Sequence, residues 1–125
     1  MEKKKVLIID DEQSFLEITK INLENTGEYK VAILSEAKDI ISQIHAFQPD
    51  IILLDILMPK IDGVEACRML NNDQAGKGTP IIILSALDAD KDKLMMYKLG
   101  VVDFIIKPVE IRDLIAAIEK ALKCK

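Results

Sequence analysis

Tryptophan is missing from the chain, histidine occurs once and cysteine twice. Two thiols, Cys67 and Cys124, are too few for a disulfide framework or for a zinc site of their own. They read as reduced thiols of a cytoplasmic protein. Glycine and proline are scarce, five and four residues, which excludes a linker-rich or fibrous chain. Apolar runs such as 6–9 and 81–84 are four residues long, far short of the roughly 20 that a membrane span requires. The basic lead Lys3-Lys4-Lys5 precedes an apolar stretch that stops at Asp10, too short for a secretory signal. Positive charge is in deficit, 17 Lys and Arg against 21 Asp and Glu, for a net charge of −4. Such a chain is a poor candidate for gripping nucleic acid by charge alone.

What is present is a globular composition. Half the residues are apolar and 30% are charged, so a core can be buried and disorder is excluded. The length of 125 residues is about 0.8 of a typical ~150-residue domain, which predicts a single domain over 1–125. Along it, strand and helix patterns alternate five times. Runs 6–9, 31–34, 51–54 and 81–84 are apolar and rich in β-branched residues, as strands buried on both faces must be. The segment 101–106 is the fifth strand. Between them, Phe15, Leu16, Ile18, Ile21 and Leu23 cluster at helical spacing up to Gly27. Ala37, Ile40, Ile41 and Ile44 follow the i, i+3, i+4, i+7 rule, with Ser35 as N-cap and Pro49 as the stop. Pro59 and Asp62-Gly63 mark a turn before a helix over 64–70, and 71–79 reads as a loop. A fourth helix is expected over 88–99, ended by Gly100. Ile111, Leu114, Ile115, Ile118 and Leu122 form the cleanest amphipathic helix. Strands separated by such helices pair in parallel, and right-handed crossovers give a doubly wound α/β sheet covered on both faces.

Sheets of this kind bind ligands at the carboxyl ends of their strands, where strand order reverses. The polar residues of interest stand there. Strand one ends in Asp10-Asp11, strand three in Asp55, strand four in Ser85, and strand five runs into Lys107-Pro108. Taken alone, Asp10-Asp11 also reads as a solvated turn capping the first helix. Asp55 lies between Ile51-Ile52-Leu53-Leu54 and Ile56-Leu57-Met58, and a carboxylate in such a setting needs a partner. If strands one and three are neighbours, three carboxylates crowd together, and repulsion raises their pKa values unless a cation neutralises them. Few, hard oxygen ligands with room for water suit Mg²⁺. Lys107 adds a mobile point charge and Ser85 a hydroxyl, both able to hold a phosphoryl group, with Asp55 as the nucleophile.

These residues, together with the segment Asp55-Ile56-Leu57-Met58-Pro59-Lys60-Ile61-Asp62-Gly63 and Ser85-Ala86, give a chain that resembles the receiver domain of two-component response regulators. The resemblance spans essentially the whole chain. It implies a flavodoxin-like three-layer (βα)5 sandwich with strand order 2-1-3-4-5, free-standing or part of a longer regulator. It also implies that Asp55 accepts a phosphoryl group from a sensor histidine kinase or phosphotransfer protein. Asp11, Asp55 and the backbone carbonyl of Leu57 would ligate Mg²⁺, with Asp10 acting mainly through water. Ser85, Lys107 and the backbone N–H of Ala86 would contact the phosphoryl oxygens. The Lys107-Pro108 bond would be cis, against the trans form expected of an arbitrary X-Pro bond.

The same resemblance makes Ser85 and Phe104 a switch pair, although Phe104 also reads as ordinary core. A phenylalanine there makes the coupling steric, since it has no hydroxyl to donate. Leu57 and Leu87 would flank the path of the hydrolytic water. Both are apolar and cannot orient it, which predicts slow self-dephosphorylation; alternatively they merely pack. The implied output is a changed surface of the fourth helix, fifth strand and fifth helix, read by a downstream domain or protein, with a phosphorylation-dependent dimer as one form. Neither direct nucleic-acid contact nor membrane association is expected. The chain would catalyse only its own phosphorylation and slow dephosphorylation, and would not be a turnover enzyme. Two rivals are a binding module of the same fold that never uses phosphate, and an aspartyl-phosphate phosphatase or phosphotransferase. The second usually needs a carboxylate two residues after the nucleophile, where Leu57 stands.

Other features carry less. Gly76-Lys77-Gly78-Thr79 lacks the earlier glycine of a phosphate-binding loop and precedes a strand. His45 reads as a surface histidine. Met95, Met96 and Tyr97 read as core of the fourth helix, or else as an adaptable exposed patch.

Overall fold

The computed structural model describes residues 2–56, 63–85 and 96–123. Five strands, β1 (Lys4–Ile9), β2 (Tyr29–Leu34), β3 (Ile51–Asp55), β4 (Ile81–Ser85) and β5 (Val101–Ile106), form one sheet of order β2-β1-β3-β4-β5. Every neighbouring pair is parallel. Helices among the described residues include α1 (Gln13–Glu24), α2 (Ile40–Phe47), α3 (Gly63–Asn72) and a C-terminal helix (Ile111–Lys123). This is the flavodoxin-like doubly wound architecture.

The apolar strands bury both faces because successive side chains point to opposite sides. Leu7, Ile9, Ile52, Leu54, Ile81 and Ile83 enter one layer with Ile40 and Ile44 of α2 and Ala66, Cys67 and Leu70 of α3. Val6, Ile8, Ile51, Leu53, Ile82 and Leu84 enter the other, with Leu16 and Leu23 of α1 and Leu114 and Ile118 of the C-terminal helix. Among the described residues no helix is long and apolar enough to cross a membrane.

Several expectations shift. Ile18 and Ile21 are not core but 59% and 57% exposed. The buried stripe of α1 is Leu16, Thr19 and Leu23, and a 3.6-residue period turns positions 18 and 21 away from it. That helix ends at Glu24, three residues before Gly27, whose φ of 81° closes the turn into β2. Ser35 does not cap the second helix. A 3₁₀ turn over Ala37–Asp39 delays the α-helix to Ile40, so its N-cap is Asp39, which makes no side-chain capping bond. α3 runs on to Asn72, two residues beyond the expected end. Of the expected helix 88–99 only part lies within the described residues: 96–98 are helical, Met96 is buried and Tyr97 is exposed. Pro59, Asp62, Met95 and Cys124 lie outside them.

Gly63 fits α3 against the end of β3. A Cβ there would stand 2.5 Å from Ile56 Cγ1 and 2.8 Å from Ile56 Cα. Its N–H donates to the Ile56 carbonyl at 3.1 Å, which seats the helix beside the residue that follows Asp55.

Candidate phosphoacceptor and metal site

Strand register assembles the site. Ile9 pairs with Leu54, Asp55 with Leu84 and Ser85 with Ile106. Asp10 and Asp55 therefore lie level at the carboxyl edge, with Ser85 one position and Lys107 two positions further along it, and strand order reverses between β1 and β3. A parallel sheet carries every strand's carboxyl end to the same edge, so residues distant in the chain become neighbours.

Asp10 is fully buried. Its N–H donates to the Leu34 carbonyl at 3.1 Å. Its Oδ1 accepts the N–H of Glu12 at 2.9 Å, which turns the chain into α1. Its Oδ2 pairs with Lys107 Nζ at 2.5 Å. Asp55 is 5% exposed, and its Oδ2 lies 3.8 Å from the same ammonium. Asp11 is exposed, and carboxylate oxygens of Asp10, Asp11 and Asp55 lie within 4.8 Å of one another. Three carboxylates against one ammonium leave two formal negative charges at this edge. Hard oxygen donors, clustered and only partly neutralised, fit a magnesium ion.

Ser85 is buried beside them, and its carbonyl accepts the Lys107 N–H at 2.7 Å. The Lys107-Pro108 peptide is cis. Phe104 is half-buried against the layer beneath α2 and α3, with its ring edge-on to Tyr97 at 5.2 Å between centroids. Leu57, Ala86 and Leu87 lie outside the described residues. His45 is away from the site, paired with Asp73 at 2.9 Å. The Gly76-Lys77-Gly78-Thr79 segment lies in the turn after α3, where the Asp73 carboxylate accepts the N–H groups of Ala75 and Gly76.

One contact had no expectation attached. The Phe15 ring lies under Lys107 Nζ, 4.5 Å from its centroid. Helical spacing places Phe15 in the apolar cluster of α1 and marks no site role for it. The contact joins α1 to the end of β5, and nothing local in the sequence signals that approach.

A family model described as the response regulator receiver domain matches residues 6–119. The chain belongs to that family, whose general function is phosphorylation-dependent switching in two-component signalling. It is 34% identical over 120 residues to the alkaline phosphatase synthesis transcriptional regulatory protein PhoP of Bacillus subtilis. That match covers 96% of this chain and 49% of the relative, so the chain spans about half the length of that regulator. A receiver domain protein (CheY-like) of Methanospirillum hungatei is similar with a TM-score of 0.89 and 28% identity, over 98% of this chain and 95% of that one. The receiver domain of Francisella response regulator 1452 is similar with a TM-score of 0.83 and 30% identity, over 97% and 98%. Receiver domains generally bind Mg²⁺ in an acidic pocket, and response regulators generally work with histidine kinases and output domains.

Proposed function

We propose that this chain is a receiver unit, free-standing or joined to an output domain, that takes a phosphoryl group on Asp55 from a sensor histidine kinase or phosphotransfer protein in the cytoplasm. The observation that carries this reading is the convergence of Asp10, Asp11 and Asp55 within 4.8 Å, with Lys107 Nζ 2.5 Å from Asp10 and 3.8 Å from Asp55. An Asp55 oxygen attacks phosphorus, the O–P bond forms as the donor's P–N bond breaks, and the electron pair leaves with the imidazole. Lys107 moves from Asp10 toward the incoming oxygens, and Ser85 donates its hydroxyl to another. The backbone N–H of Ala86 completes the set.

Asp11, Asp55 and the Leu57 carbonyl would hold Mg²⁺ directly. Both Asp10 oxygens already accept hydrogen bonds, which supports a water-mediated role for that residue. The ion would neutralise charge between carboxylates and phosphoryl oxygens. The chain acts only on itself in this reading and turns over no separate substrate. Leu57 and Leu87 cannot orient a water, so the phosphoryl group is retained. Movement of Ser85 draws on Phe104, and through its ring on Tyr97, toward the surface of the fourth helix, fifth strand and C-terminal helix that an output partner or a second copy reads.

The test is intact-mass spectrometry after incubation with acetyl phosphate and Mg²⁺. The wild type gains one phosphoryl mass and Asp55→Ala gains none. A modification that persists in the variant refutes the assignment. Release of inorganic phosphate from generic esters at many turnovers would point instead to a phosphatase.

A further inference from the structure

We propose that Phe15 is a positioning residue for Lys107, with its ring as a cation–π seat that holds the ammonium at the mouth of the acidic pocket. The inference rests on the phosphoacceptor reading above and adds a residue to it. Lysine ends in a compact charge on a flexible four-carbon stem and has no planar fork to fix its approach. Asp10 and Asp55 draw the Lys107 ammonium from one side, at 2.5 and 3.8 Å. The negative face of the Phe15 ring, 4.5 Å from Nζ, supplies a further attraction that involves no formal anion. The Lys107 side chain is only 18% exposed, so the ring works where water screens it weakly.

The ring is itself anchored. Phe15 is half-buried and packs on the core layer that contains Leu16, Leu23, Leu114 and Ile118. It also lines a cavity of about 230 Å³ between α1 and the start of the C-terminal helix, with Ile18, Val109 and Leu114. A seat fixed by the core keeps the lysine extended over the pocket when a phosphoryl group competes with Asp10 for it. A leucine at position 15 would fill much of the same space and offer no such face.

The experiment compares wild type, Phe15→Leu and Phe15→Tyr, each checked for folding by urea titration. In the metal-free protein, the Lys107 ε-methylene protons should resonate upfield of free lysine through the ring current, in wild type and Phe15→Tyr but not in Phe15→Leu. NMR titration with beryllofluoride and Mg²⁺ should show an affinity lower by about fivefold to thirtyfold in Phe15→Leu, the range from an exposed to a desolvated cation–π contact, and restored to within about twofold in Phe15→Tyr. An unshifted Lys107 in the wild type overturns the proposal. So does a Phe15→Leu affinity equal to wild type, or equal weakness of both variants, which would mean packing alone. If the wild type takes a phosphoryl group from acetyl phosphate onto Asp55, releasing acetate, while Phe15→Leu matches it in affinity, only this inference falls. If the wild type takes up nothing, the phosphoacceptor reading falls and takes this inference with it.

Discussion

Replacing Lys107 by methionine should destabilise the protein, and the size of the loss follows from what the side chain leaves behind. Methionine keeps the length and apolar character of the stem, so lost packing is small. The fully buried Asp10 carboxylate loses the only cation paired with it among the described residues, while Asp55 stays nearby. Breaking a buried pair by removing one partner costs about 3–5 kcal/mol, because an uncompensated charge stays in a poor solvent. The low end applies here: Lys107 keeps 18% of its side-chain surface and Asp11 is exposed, so water reaches the edge. A loss of about 3 kcal/mol, at roughly 4 °C per kcal/mol for a chain of this size, lowers Tm by about 12 °C. The assay is urea unfolding at pH 7 without divalent ions, in the backgrounds of wild type and Asp10→Asn. In the second background the closer buried anion is gone and only Asp55, 3.8 Å from the ammonium, loses a cation, so the cost of Lys107→Met should fall by at least about 1 kcal/mol. Millimolar Mg²⁺ should recover part of the loss in the first background by standing in for the missing charge. A cost below about 0.5 kcal/mol, or the same cost in both backgrounds, would show that the short contact carries no energy and refute the reasoning.

Three further outcomes follow from other parts of the molecule. Gly63→Ala drives a methyl against Ile56 Cα at 2.8 Å, and should cost about 1–3 kcal/mol in urea unfolding while weakening beryllofluoride binding, since Ile56 follows Asp55. The hydrogen bond from His45 is the main cause holding the Asp73 carboxyl below its usual range, with the Gly76 and Ala75 amides adding to it. A folded-state value below the unfolded one stabilises the protein above about pH 4, and that stability is lost as pH falls through the folded value. His45→Ala should therefore move the Asp73 titration upward in a carboxyl-detected NMR series and flatten the acid limb of stability against pH; an unmoved Asp73 would refute the pairing. Phosphorylated protein freed of donor should persist for minutes or longer at neutral pH with Mg²⁺, because Leu57 and Leu87 offer no polar group to a water; decay within seconds, followed by intact mass, contradicts that.

The fold was legible because its signal is redundant. Each strand is an apolar run whose alternate residues feed opposite layers, so Ile8 and Ile9 serve different cores while reading as one run. The sheet-edge residues Asp10, Asp55, Ser85 and Lys107 were legible for the same reason: an apolar run that stops at a polar or charged residue marks a strand's end, and parallel pairing brings those ends together. Finer features were hidden because they depend on rotation and approach. Ile18 and Ile21 fit a helical apolar pattern, yet the stripe that faces the sheet is Leu16, Thr19 and Leu23, and one of its members is polar. Ser35 looks like a cap, but the 3₁₀ turn over Ala37–Asp39 moves the helix start beyond its reach. The pairing of His45 with Asp73 joins positions 28 residues apart and has no periodic signature.

The contrast between Asp10 and Asp11 shows how the architecture divides labour between adjacent identical residues. Both aspartates follow the last residue of β1, where the Glu12 N–H bonds back to Asp10 Oδ1 and turns the chain into α1, and that turn leaves one buried and the other exposed. Asp10 turns inward, fully buried, with both oxygens engaged by the Glu12 N–H and the Lys107 ammonium. Asp11 is exposed, although its carboxylate stays within 4.8 Å of its neighbours. On the proposed reading, the buried first carboxylate anchors Lys107 at rest, while the hydrated second would exchange water for a metal ion at little cost. Exchanging either residue for asparagine should therefore act on different quantities. Asp10→Asn should loosen Lys107, moving its ammonium resonance in the metal-free protein, whereas Asp11→Asn should leave that resonance in place and weaken Mg²⁺ binding alone. Identical effects from the two would mean that the pair acts as one diffuse charge, and that burial at the end of β1 confers no division of roles.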